Sequence, residues 1–365
     1  MPSEPPSIPI ANPDLGREEQ QRVADVLDSG MLADGPTVRA FEAEFAEYCG
    51  VDHGVATSNG TTALHTAFEA LGLGTGDRIL TTPFSFISSA NTIRLCGAEP
   101  VFADIDPETY NLDPGAVIDT IEAYDGDVDA ILAVHLYGLP ADVERLRTIA
   151  DTYDALLIED AAQAHGAMVN GDRVGGVGDA ACFSFYPTKN MTTGEGGMVL
   201  TDEQAVADAA ARFVNHGRAE SGYAHVELGH NFRLTSIGAA IGRAQLEKLP
   251  DYIEARRANA ARLNDGLAGL PVTTPYEPDD RTHVYHQYTI RTTARDALIE
   301  QLDARNIGSG IYYPTAIHDQ PAYDGYAVEA PVAETATEEV LSLPVHPSVN
   351  EDDIDRIVDA LTEFF

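Results

Sequence analysis

From Val55 to Leu200 short apolar runs alternate with helical segments, and no other feature restricts the fold so strongly. The first run starts at Val55; the others are Arg78–Thr82, Val101–Ile105, Ala130–Leu136, Ala155–Ile158, Ala180–Phe185 and Met198–Leu200. Helices are expected between them at Thr61–Leu71, Ile87–Cys96, Pro114–Ala123 and Asp142–Tyr153, with another from Glu203. Runs this short and apolar fit strands buried on both faces, and strands separated by helices pair in parallel. The expected fold is α/β, with a mainly parallel seven-stranded sheet covered by helices. Upstream, Glu18–Asp28 and a segment capped by Thr37, with Val38, Phe41 and Phe45 at helical spacing, read as helices separated by the breaker run Gly30–Pro36. Downstream, a long helical stretch, Ser236–Leu267, is expected to break at Pro250. It leads to His283–Arg291 (strand), Ala294–Asn306 (helix), Gly308–Tyr313 (strand) and Asp352–Phe365 (helix). The chain thus divides into a large unit, 1–250, which includes the N-terminal segment, and a smaller α+β unit, 251–365.

Open α/β sheets place ligands beyond the carboxyl ends of their strands. There, Ala155–Ile158 ends in Glu159-Asp160, while Ala180–Phe185 presents Ser184 and then Tyr186-Pro187-Thr188-Lys189. The chain has only two lysines, Lys189 and Lys248, so a lysine at this point is not casual surface charge. After the first strand, Ser58-Asn59-Gly60-Thr61 opens a helix whose free N–H groups suit a phosphate. Phe86 follows the second strand, where an aromatic ring can stack on a planar ligand. Taken singly, each has an ordinary explanation: a strand-end cap, a surface turn, a hydroxyl cap, a core ring. Their convergence at the strand–helix junctions of one sheet points instead to a single site. Gly72, Gly74 and Gly76 precede a strand instead of following one, which excludes a dinucleotide fingerprint.

The chemistry that needs these parts together is that of pyridoxal phosphate. A buried lysine forms a Schiff base with an aldehyde, and an aspartate keeps a pyridine nitrogen protonated, which makes the ring an electron sink. Gly60, Thr61 and Ser184 would cradle the phosphate and Phe86 would stack on the ring.

Composition narrows the partners. Lys+Arg number 22 against 59 Asp+Glu, a formal charge of −37, which disfavours nucleic acid and anionic membrane. The acid is spread along the chain and lysine is nearly absent, a balance expected of a protein adapted to high salt, where the screening length is about 3 Å. The three cysteines (Cys49, Cys96, Cys182) are scattered and match neither a disulfide framework nor a metal site. The start, MPSEPPSIPIANPDLG, lacks a basic-then-apolar signal, and no apolar run reaches about 18 residues, so a soluble, cytoplasmic protein is expected.

Several segments carry a family resemblance: GPTVRAFEAEFAEYCG, SNGTTAL, EDAAQAHGA, FSFYPTKN followed by GEGG, GHNFRLTSIGAAIGRAQL, YYPTAIH and SLPVHP. Together they resemble the DegT/StrS family of pyridoxal-phosphate-dependent sugar aminotransferases, in the fold-type I superfamily. The resemblance implies Lys189 as the Schiff-base lysine, Asp160 at the pyridine nitrogen and Gln163 at the ring hydroxyl. It implies Ser184, Gly60 and Thr61 at the phosphate, Phe86 on the ring, and Asn231 reaching the phosphate of a neighbouring subunit, hence a homodimer with shared active sites. Tyr186, Arg233, Tyr313 and His318 are candidate substrate contacts. The implied reaction moves an amino group from a donor, L-glutamate, to the keto group of a nucleotide-linked sugar. Ala33-Asp34-Gly35-Pro36 departs from the family, which often has threonine two residues before the glycine-proline pair; this bears on substrate contacts, not on the cofactor site. Two other readings compete: a keto-sugar dehydratase of the same fold, whose branch has histidine in place of Lys189, and a cofactor-binding regulator without turnover.

Overall fold

The computed structural model describes residues 6–219, 221–326 and 328–365, so the first five residues of the proline-rich start lie outside the described set. In chain order the strands are β1 (His53–Thr57), β2 (Arg78–Thr81), β3 (Glu99–Phe102), β4 (Ala130–Val134), β5 (Leu156–Asp160), β6 (Met168–Val169), β7 (Asp172–Arg173), β8 (Ala180–Ser184), β9 (Gly197–Thr201), β10 (Arg281–Thr282), β11 (Tyr288–Arg291) and β12 (Val340–Leu343). The α-helices are α1 (Arg17–Ser29), α2 (Pro36–Cys49), α3 (Gly60–Ala70), α4 (Ser88–Leu95), α5 (Pro114–Ala123), α6 (Val143–Tyr153), α7 (Gln204–Phe213), α8 (Ser236–Leu267), α9 (Arg295–Asp303), α10 (Pro331–Glu339) and α11 (Glu351–Phe364).

The large sheet has seven strands in the order β1-β9-β8-β5-β4-β2-β3. From β8 to β3 the strands run parallel, while β9 is antiparallel to both β8 and β1. A parallel return needs a crossover of a dozen or more residues, usually a helix. The connection from β8 to β9 contains no helix, so β9 folds back antiparallel, and that connection carries Lys189. The alternation of side chains along the strands supplies two cores. Ile131, Ala133 and Leu157 pack with Phe41 and Phe45 of α2, Val117 and Ile121 of α5, and Leu146 of α6. On the other face Ala130, Leu132 and Ile158 pack with Leu64 and Phe68 of α3, Ile93 of α4 and Ala210 of α7.

The expected break at Pro250 does not occur: α8 runs unbroken from Ser236 to Leu267. Proline in a helix interior costs roughly 3 kcal/mol through its missing N–H and ring clash. Here the flanking turns are anchored in different cores, Leu246 and Leu249 against the sheet, Ala260, Leu263 and Leu267 in a separate cluster with Tyr288, Ile290, Leu341 and Ile357. Burial on both sides of the proline outweighs its local penalty. We propose that the two units divide within this helix, near residue 250. Ile8 is buried in the second cluster and bonds Asn306 and Gly308, so the N-terminal segment packs with C-terminal residues.

The smaller unit departs from expectation in two further places. The strand foreseen over His283–Arg291 is reduced to β11, because residues 284–287 turn to bond the backbone of Tyr137 and Gly138. Gly308–Tyr313 forms only a bridge, Gly310 to Ser342; the partner of β11 is β12, antiparallel. Among the described residues no helix is long and apolar enough to cross a membrane.

Candidate active site

The carboxyl ends of β5 and β8 open into a cavity of about 850 Å³, walled by the starts of α3 and α4 and by Tyr312, Tyr313, His286 and Gln287 of the C-terminal part. Lys189, Asp160, Gly60, Thr61, Phe86, Gln163, Ser184, Tyr186 and Tyr313 all line it.

The Lys189 turn is fixed on several sides. Its own N–H donates to Tyr186 O (2.9 Å), Asn190 Nδ2 donates to Val284 O (3.1 Å), and Thr192 Oγ1 donates to Phe185 O (2.8 Å). Among the described residues no carboxylate forms an ion pair with its amine. Burial lowers the amine from its usual 10.5 to about 8, against the opposing charge of Asp160. A buried lysine of this kind is neutral in part near physiological pH, which is what a nucleophilic amine requires.

Asp160 ends β5, 5 % exposed, opposite Cys182 of β8. Oδ2 accepts from Ser89 Oγ (2.8 Å) and Oδ1 from the Ala162 N–H (3.3 Å). Burial raises its pKa from the usual aspartate value, while Ser89, Ala162, Lys189 and His135 pull the other way. On the neighbouring residue, Glu159 is fully buried and bonds His135 Nε2 (2.9 Å) and the N–H groups of Gly175, Val177 and Gly178.

At the start of α3, Asn59 caps the helix by accepting from the Thr62 N–H (2.9 Å). The glycine that follows is needed for contact: a Cβ on Gly60 would sit 2.7 Å from Ser184 Cβ, closer than side chains tolerate. Its absence draws the helix N-terminus onto the end of β8, and Thr61 Oγ1 lies 2.7 Å from Ser88 Oγ of α4. Free helical N–H groups and several hydroxyls thus converge on one corner, an arrangement suited to a phosphate. On the wall, Phe86 keeps 54 % of its surface exposed, and its ring lies 6.2 Å from that of Tyr313. Gln163 is held at both ends, accepting from the Tyr137 N–H (2.7 Å) and donating to Tyr313 Oη (3.1 Å).

Three candidates are not in this cavity. Asn231 is exposed and bridges Asn215. Arg233 donates to Asn215 Oδ1 (2.7 Å) and lines a separate, open surface pocket with Asp34, His216, Arg218, Tyr223 and His225. The His318 ring packs 6.5 Å from Phe102, with Nε2 3.5 Å from Glu334, and does not reach the cleft. Conversely, the sequence reading missed Ser85, Ser88, Ser89, Glu195, His286, Gln287 and Tyr312. The serines flank Phe86 and were within reach of inspection, since Ser85 and Ser89 are one helical turn apart. His286, Gln287 and Tyr312 carry no local signal, because only packing of the C-terminal part brings them to the sheet.

A phosphorylated pyridine aldehyde fits these residues: a partly neutral buried amine, a buried carboxylate with hydrogen-bond capacity left, a phosphate corner shaped by a glycine contact, and an exposed ring beside them. Residues 13–362 match the DegT/DnrJ/EryC1/StrS aminotransferase family, and the chain belongs to it. It is therefore a pyridoxal-phosphate-dependent aminotransferase. Over 99% of this chain and 97% of the relative, it is 39% identical to a dTDP-3-amino-3,4,6-trideoxy-alpha-D-glucose transaminase of Streptomyces venezuelae. Over 96% and 95% it is 41% identical to a pleiotropic regulatory protein of Geobacillus stearothermophilus. The crystal structure of S. venezuelae DesV in complex with a ketimine intermediate superposes with a TM-score of 0.95 at 38% identity, covering 99% of both chains.

Proposed function

We propose that the protein carries an amino group from L-glutamate to the keto group of a nucleotide-activated sugar, in the cytoplasm, for amino-sugar or polysaccharide biosynthesis. The observation that carries this reading is the meeting of Lys189 and Asp160 in one cavity large enough for cofactor and sugar together. The sugar substrate is supported by the transaminase relative named for a dTDP-linked amino sugar.

Lys189 would hold the cofactor covalently, Asp160 would partner its ring nitrogen, Gln163 its ring hydroxyl, and Phe86 would stack on the ring. The α3 start with Gly60, Thr61 and Ser184 would hold the phosphate. When bound, the cofactor supplies an electron sink for the carbon that loses a proton. Lys189 Nζ is the group in the site that can accept a proton and give it back. Its lowered pKa, about 8, lets the same nitrogen act in both directions near neutral pH. Tyr186 and Tyr313, which line the cavity, would contact the sugar.

Asn231 and Arg233 lie away from the cavity of their own chain, a placement that suits service to a partner's site, so the assembly proposed is a homodimer with shared active sites. With −37 on each chain, that dimer requires screening, in keeping with a high-salt origin. Lowering salt from molar to about 0.1 M is expected to dissociate the dimer and release cofactor together. Light scattering alongside visible absorbance checks this; a monomer that keeps its cofactor band would refute the shared site.

Of the competing readings, dehydration is disfavoured by Lys189, where the dehydratase branch carries histidine. A regulatory role draws on the name of the Geobacillus relative, but a net charge of −37 disfavours direct binding to DNA. A screen of keto sugars against the amino form of the cofactor, read by return of the visible band, tests the proposal. Failure of every nucleotide-linked keto sugar to restore the band would overturn it.

A further inference from the structure

Beneath Asp160 lies a short ladder of hydroxyls. Ser89 Oγ is 2.8 Å from Asp160 Oδ2, and Ser85 Oγ is 3.0 Å from Ser89 Oγ. Ser85 and Ser89 are buried, 4 % and 1 % exposed. The direction of these bonds follows from their chemistry. An ionised carboxylate only accepts, so the single Ser89 proton goes to Asp160. The Ser89 oxygen is then an acceptor, and the proton between the serines belongs to Ser85.

A buried carboxylate stays charged only if fixed donors replace its lost water. Asp160 has the Ala162 N–H at 3.3 Å, long for such a bond, and Ser89 at 2.8 Å. The other titratable groups around it are Lys189 on the β8–β9 connection, His135 after β4, Cys182 on β8 and Tyr313 from the C-terminal part; Glu159, adjacent on β5, is directed to its own partners. Of these the positive charge of Lys189 helps most directly, yet it vanishes whenever that lysine is neutral. The Ser89 donor does not depend on the state of Lys189. Because Ser85 donates to Ser89, each bond polarises the next.

We propose that Ser85 and Ser89 form a relay that keeps Asp160 ionised and aimed at the ring nitrogen, with Ser89 as its principal positioning residue. This rests on reading Asp160 as the partner of that nitrogen. Ser89 is held in turn by α4, where Thr92 Oγ1 donates to the carbonyls of Ser88 (2.9 Å) and Ser89 (3.1 Å).

The test begins with cofactor-free protein carrying isotope-labelled aspartate, in which infrared absorption of the protonated carboxyl, assigned by its loss in Asp160→Asn, is followed against pH. Ser89→Ala should shift the protonation equilibrium of Asp160 about tenfold towards the neutral acid. Ser85→Ala should shift it the same way by about threefold, and Ser89→Thr, which keeps the hydroxyl, should restore wild-type titration. In the loaded enzyme, the acid limb of the kcat profile should move with the infrared midpoint. If Ser89→Ala does not fold, Ser89→Cys, a weak donor of similar size, is expected to shift the equilibrium in the same direction. An unchanged titration in Ser89→Ala or its cysteine substitute overturns the relay. Near-wild-type turnover in Asp160→Asn overturns the underlying reading of Asp160 instead, so the two failures are distinguishable.

Discussion

Lys189 and Lys248, the only lysines of the chain, sit in regions that treat an ammonium group in opposite ways. Lys248 lies on α8 where that helix meets α1, its amine 2.6 Å from Glu19 Oε1 and 3.8 Å from Glu18. Burial alone would raise the pKa of Glu19, but hydrogen bonds from Lys248, Gln245 and the Gly16 N–H override it and hold the group at about 2. Lys189 sits in a helix-free turn, with Asp160 near enough to be felt as a charge but not bonded to it, and burial lowers its amine. One lysine is used as a permanent countercharge; the other is kept on the verge of losing its proton. The difference lies in the local dielectric and in the absence, among the described residues, of a bonded carboxylate, and not in the residue itself.

The strongest way to break this comparison is to remove each amine. Lys189→Ala should lower turnover by at least about 10³-fold, equivalent to roughly 4 kcal/mol, whereas Lys248→Ala should stay within about twofold. Borohydride reduction followed by peptide mapping should place the cofactor on Lys189; finding it on Lys248 would reverse the assignment. Next in size, Asp160→Asn should retain cofactor yet lose turnover by about 10²-fold or more, since it removes the charge that favours a protonated ring. Single-turnover kinetics beside the visible spectrum would expose a wild-type rate, which would reduce Asp160 to a strand-end cap.

A smaller effect sharpens the contrast. In cofactor-free protein, labelling of Lys189 by an amine-reactive reagent should rise with pH to a midpoint at about 8, because only the neutral amine reacts. The charge of Asp160 raises that midpoint, so Asp160→Asn should lower it. Mass-spectrometric labelling profiles with identical midpoints would show that the two groups do not sense each other.

The smallest expected effect is on stability. Lys248→Met should cost about 0.5–1 kcal/mol at neutral pH, the screened range for a partly exposed ion pair. Glu19 is depressed from 4.5 to about 2 in the fold, so its contribution is complete above pH 4.5 and disappears as pH falls towards 2. Urea midpoints of wild type and variant should therefore converge over that window; a constant gap would locate the effect in packing.

Much of this was legible in the residues. The strands at Ala130, Ala155 and Ala180 are short and apolar enough to demand burial on both faces, and parallel pairing then sends Asp160 and Ser184 to one edge. Pro250 shows where such reading fails: its penalty is local, whereas the anchoring of α8 in two cores is set by residues far apart in sequence. His318 looked like a cleft residue beside Tyr313 but turns back against Phe102.

By itself, then, the sequence determined the sheet, the lysine and the carboxylate, because periodicity and strand-end position are local properties of a chain. Only the tertiary structure decided that Ser89 reaches Asp160 and Ser85 reaches Ser89, that His286 and Tyr312 close the cavity, and that among the described residues Lys189 has no bonded carboxylate while Lys248 does. Those relations join residues on different elements, and they exist only once burial has fixed how the elements pack.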